Sequence, residues 1–89
     1  MKYSISIDTR INNEEQIKKL GYRFRGFDFV VDTDMTKNEL YHVIEQMILS
    51  LGKTFLSITI DSEDVSPRQK VWTFDQIKLE MIKDSENQW

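Results

Sequence analysis

Eighty-nine residues with 39% hydrophobic and 30% charged side chains suffice for one hydrophobic core, with little stability to spare for strained or unsatisfied groups. This balance excludes a disordered chain, and no stretch approaches the roughly 20 apolar residues of a membrane span. The absence of cysteine excludes disulfides, thiolate metal sites and cysteine nucleophiles, and a net charge of −3 disfavours a long polyanion as partner.

The first residues alternate: Tyr3, Ile5 and Ile7 lie on one side and Lys2, Ser4, Ser6 and Asp8 on the other. This predicts a strand with one buried face, and it lacks the continuous apolar run of a secretory signal, so a cytoplasmic protein is expected. Residues 11–21 predict a short helix, with Asn13 as N-cap, Ile17 and Leu20 on one face and Gly21 as its stop. A second strand is expected over residues 22–32. Its apolar phase runs through Tyr22 and Phe24 and then shifts by one to Phe27, Phe29 and Val31, which predicts a β-bulge at Gly26. On this reading Tyr22 and Phe24 pack inward, and Arg23 and Arg25 share the exposed face.

Thr36-Lys37-Asn38-Glu39 is a capping box, flanked by Met35 and Leu40 as a hydrophobic staple. Leu40, Val43, Ile44, Met47, Ile48 and Leu51 recur at helical spacing and Gly52 closes the segment, which predicts a helix over residues 37–51. A third strand follows, with Leu56, Ile58 and Ile60 on one face and Phe55, Ser57, Thr59 and Asp61 on the other. The polar run 61–70, with Pro67, reads as a loop. Beyond it Ile77, Leu79 and Met81 alternate as a fourth strand, although Phe74, Ile77 and Met81 also share one face of a helix. Residues 84–89 read as a frayed tail after a single domain, 1–83.

The expected fold is therefore a two-layer α+β sandwich. One main helix packs on a mainly antiparallel four-strand sheet in the order ββαββ, with a short extra helix between the first two strands. Leu40, Ile44, Met47, Ile48 and Leu51 would pack against Ile5, Ile7, Phe29, Val31, Ile58 and Ile60. This element order is similar to that of ubiquitin-like β-grasp domains in topology alone, since no tandem glycine closes the chain.

No motif carries recognisable chemistry. The single histidine, His42, stands off the apolar stripe of the main helix, and no serine occupies a nucleophile elbow. Asp61, Glu63 and Asp64 lack the glycine and distal glutamate of a calcium loop, and Gly21, Gly26 and Gly52 form no phosphate-binding pattern. Neither metal, cofactor nor enzymatic activity is expected. The segment from Tyr22 to Phe27 interleaves aromatic and arginine side chains, which suits either a protein interface or base stacking with phosphate contacts. Charge favours the protein: the first thirty residues hold six bases and four acids, whereas the remainder holds six bases and eleven acids.

Tyr22, Arg23, Arg25, Arg68, Lys70 and Trp72 are accordingly the expected partner-binding residues, because Tyr, Trp and Arg anchor interfaces. An acidic surface of this kind could mimic nucleic acid toward a basic partner, and an uncovered sheet can also pair with a second copy. The lack of alanine, with one proline and three glycines, fits an AT-rich genome such as a low-GC bacterium or one of its phages or plasmids. The function expected from these features is non-enzymatic binding that inhibits or modulates a host protein, with nucleic-acid binding through residues 22–27 as the alternative.

Overall fold

Three strands and three helices alternate along the chain in the computed structural model, which describes residues 1–62 and 68–87, the last three as backbone only. The elements are β1 (Lys2–Arg10), α1 (Glu14–Leu20), β2 (Phe24–Asp32), α2 (Lys37–Ser50), β3 (Thr54–Ser62) and α3 (Phe74–Asn87). β1 is central, and both neighbours run antiparallel to it in the order β2-β1-β3. β2 and β3 are thus parallel to each other with β1 between them, so β2, α2 and β3 form a split β-α-β unit.

This corrects the expected four-strand sheet in ββαββ order. Residues 74–87 form a helix, and Ile77 and Met81 are fully buried in the same core as α2, whereas Leu79 is 56% exposed. The alternation that predicted a strand would have buried Leu79 together with its neighbours. The physical reason for the helix lies in coverage: α2 packs along β3, and the Phe27 and Phe29 side of the sheet needs a second apolar stripe. A capping box of Thr73 and Gln76, which the reading of the sequence missed, starts α3. The Gln76 backbone N–H donates to Thr73 Oγ1 at 3.2 Å, and the Thr73 N–H donates to Gln76 Oε1 at 3.0 Å.

Local signals elsewhere act as their chemistry demands. Asn13 Oδ1 accepts from the N–H groups of Glu15 and Gln16, and Gly21 caps α1 with a φ of +81°. Glu14 and Glu15 occupy the first turn of α1 and Lys18 and Lys19 the last, matching the helix dipole at both ends. At α2 the capping box is complete: the Glu39 N–H donates to Thr36 Oγ1 at 3.2 Å and the Thr36 N–H to Glu39 Oε1 at 3.3 Å. The helix ends in a Schellman arrangement, with Gly52 at φ +71° donating to the Leu49 carbonyl and Lys53 to that of Ile48.

One core joins Tyr3, Ile5 and Ile7 of β1, Phe27, Phe29 and Val31 of β2, Leu40, Ile44 and Ile48 of α2, and Ile77 and Met81 of α3. Met47, Leu51, Phe55, Ile58 and Ile60 pack around it, half-buried. Buried polar groups are satisfied: Thr9 Oγ1 donates to the Arg25 carbonyl at 3.0 Å, and Tyr3 Oη to that of Met35 at 3.1 Å.

Two further expectations are corrected in the sheet. The β1–β2 ladder runs without a slip from Lys2 opposite Asp32 to Arg10 opposite Phe24, so Gly26 is no bulge. Continuous alternation back from Phe27 then puts Arg25 on the helix-covered side and Phe24 on the outer side. The irregularity falls instead on β3, where Asp8 pairs with Ser57 and Thr9 with Phe55, leaving Leu56 as the extra residue. Phe55 therefore packs on the core and Leu56 does not, the reverse of the expected phase.

Candidate functional site

With both long helices on one face, the other face of the sheet is lined by alternate strand residues. Successive rungs across β2, β1 and β3 place Val30, Ser4 and Asp61 together, then Asp28, Ser6 and Thr59, then Gly26, Asp8 and Ser57, and finally Phe24, Arg10 and Thr54. Short polar side chains tie these rungs together. Ser6 Oγ donates to Asp28 Oδ1 at 2.6 Å, and Ser57 Oγ donates to Asp8 Oδ2 at 3.0 Å. Asp8, Asp28, Asp32 and Asp61 give this outer face four carboxylates, of which Asp32 lies opposite Lys2 and pairs with the Met1 ammonium at 3.3 Å.

Its upper end differs. Phe24 is 59% exposed, Leu56 is 51% exposed, and Tyr22, just before β2, is 43% exposed. A lone exposed apolar side chain is ordinary, but large ones gathered at one end of an uncovered sheet form a patch suited to contact. Arg10 lies opposite both Phe24 and Thr54 in this end rung. Phe24 could have been found from the sequence by counting back in twos from Phe27. Leu56 could not, because its exposure depends on the bulge.

The six expected anchors do not form one surface. Arg23 precedes β2 and pairs with Glu14 across 3.8 Å. Arg25 turns to the helix side, where Nε meets Asp84 Oδ1 at 2.8 Å and Cζ stands 5.1 Å from the centre of the Phe27 ring. Arg23 and Arg25 therefore do not share a strand face, and Tyr22 and Phe24 do not pack inward. Trp72 lies farther along β2, with its N–H donating to the Val30 carbonyl at 2.7 Å and its ring edge-on to Phe29 at 5.0 Å. Lys70 Nζ sits 3.7 Å above the Trp72 ring, and Arg68 is exposed. Val30 is buried although neither long helix covers its side of the sheet, and Gln69, Lys70 and Trp72 line the hollow beside it.

His42 is exposed on α2, edge-on to Tyr41 at 6.0 Å. Among the described residues no three His, Cys, Asp or Glu side chains converge as a metal site, and Glu63 and Asp64 lie outside the described residues. No helix among them is long and apolar enough to cross a membrane. Compared with protein-family models, curated proteins and solved structures, the chain matches none.

Proposed function

We propose that this chain is a non-enzymatic, cytoplasmic protein-binding module whose outer sheet face docks a partner protein and thereby modulates it. The observation that supports this reading is the exposure of Phe24 and Leu56 at the end of a sheet face that neither long helix covers. The rest of that face is acidic, so the fitting partner presents an apolar contact centre bordered by lysine or arginine. A nucleic acid fits this face less well, since Asp8, Asp28 and Asp61 would repel the phosphate backbone. Tyr22, exposed just before β2, extends the patch, while Lys70 and Trp72 border the face beside Val30.

Co-purification from the native host tests the proposal with two variants. Phe24→Glu should lose a partner that wild type retains, and Leu79→Glu, on the exposed side of α3, should keep it. Equal retention by Phe24→Glu would remove the outer face from the interface. Retention of nucleic acid that falls steeply with salt would favour nucleic-acid binding instead.

A further inference from the structure

The end of β1 and the starts of β2 and β3 meet beside α1, and each of these three chain segments carries one cation: Arg10, Arg25 and Lys53. Between them opens a cleft of about 260 Å³ whose other polar lining comes from Thr9, the amides of Asn12 and Asn13, and Gln16. No Asp or Glu lines it, which reverses the local charge in a chain whose net charge is −3.

The cations are held in place. Lys53 follows the Gly52 cap, its N–H donates to the Ile48 carbonyl, and its Nζ stands 5.8 Å from the centre of the Phe27 ring. Arg25 Cζ approaches the same ring at 5.1 Å, so two like charges flank one aromatic side chain. Asp84, outside the lining, pairs with Arg25 at 2.8 Å. Among the described residues neither Lys53 nor Arg10 has a carboxylate within 4 Å. Burial holds the Lys53 ammonium below the usual lysine range; Asp84 raises it in part and Arg25 lowers it further. Asp84 already balances Arg25, so what is left uncompensated is the burial of the Lys53 ammonium, which an anion entering the cleft would offset.

We propose that this cleft is a binding site for a small phosphate-type oxyanion, either inorganic phosphate or the phosphate group of a small ester. Its volume of about 260 Å³ is below the roughly 300–1,000 Å³ of pockets that enclose drug-sized ligands, which suits a small ester. The N–H donors of the cations that line the cleft match the acceptor oxygens of a phosphate. The cleft shares Arg10 with the end rung of the outer face but includes neither Phe24 nor Leu56, so a change at Lys53 tests it without altering the protein-binding face.

Titration of the labelled protein with inorganic phosphate, and in parallel with glycerol phosphate, is followed by amide shifts against chloride at matched ionic strength. Saturable shifts at residues 25 and 51–53 are expected, tighter for the ester if the cleft also takes its carbon skeleton and equal if it takes phosphate alone. Lys53→Gln should weaken binding at least tenfold. The Lys53 pKa in wild type, read from its side-chain carbon shifts, should rise in phosphate because an anion favours the charged ammonium. Shifts that grow linearly and match those in chloride, unchanged affinity in folded Lys53→Gln, or an unmoved Lys53 pKa would each overturn the proposal.

Discussion

Replacing Ile77 by alanine tests the helical assignment of α3 when it is paired with the same change at Leu79. Ile77 is fully buried in the core and Leu79 is 56% exposed, although they are two residues apart. Ile→Ala removes three aliphatic carbons, about 2.4 kcal/mol at ~0.8 kcal/mol each, and the residual cavity adds to this within an expected range of about 2–5 kcal/mol. A domain of this length has only about 4–13 kcal/mol in total, at roughly 0.05–0.15 kcal/mol per residue. A loss of about 3 kcal/mol should therefore lower Tm by roughly 12–24 °C, at about 4–8 °C per kcal/mol. Leu79→Ala should stay within about 0.5 kcal/mol of wild type. Urea unfolding followed by far-ultraviolet circular dichroism measures both, with the slope m unchanged if the denatured states are alike. In a strand the two side chains would share a buried face and both changes would cost a core's worth. A Leu79→Ala loss comparable to that of Ile77→Ala would refute the helix.

The capping boxes of α2 and α3 make a matched pair, since Thr36 and Thr73 each accept from a backbone N–H at 3.2 Å. Thr36→Ala and Thr73→Ala should each cost about 1 kcal/mol in thermal unfolding, and an unchanged midpoint for Thr73→Ala would move the start of α3. Gly52→Ala should destabilise by about 1–2 kcal/mol, because its φ of +71° is unfavourable for a side chain although nothing stands within 4 Å of the added Cβ. Chemical denaturation at constant pH checks this, and a stabilising substitution would show that the Schellman turn is absent.

The parts of this protein whose cause is local can be read from neighbouring residues alone. β1 follows from strict alternation at Tyr3, Ile5 and Ile7, α1 from its Asn13 and Gly21 caps, and α2 from the Thr36–Glu39 box with Leu40, Ile44 and Ile48 four residues apart. The box of Thr73 and Gln76 is equally local but went unread, and the alternation of Ile77, Leu79 and Met81 competed instead with the helix face of Phe74, Ile77 and Met81. Three apolar residues two apart satisfy a strand face, while the outer two also satisfy a helix stripe. Only packing separates the cases, by burying Ile77 and Met81 and leaving Leu79 in water.

The candidate sites were still less legible. Whether Phe24 faces water depends on an unbroken β1–β2 register, and whether Leu56 does depends on a bulge in the pairing of β3 with β1. Arg23 and Arg25 look equivalent in the chain, but Glu14 holds one and Asp84, 59 residues away, holds the other. Likewise, Arg10, Arg25 and Lys53 are scattered along the sequence and line one cleft only because three strand ends converge. Periodicity and capping act over a few residues and can be read from the sequence. Register, facing and the grouping of charges arise from contacts between distant segments, which the tertiary structure alone brings together.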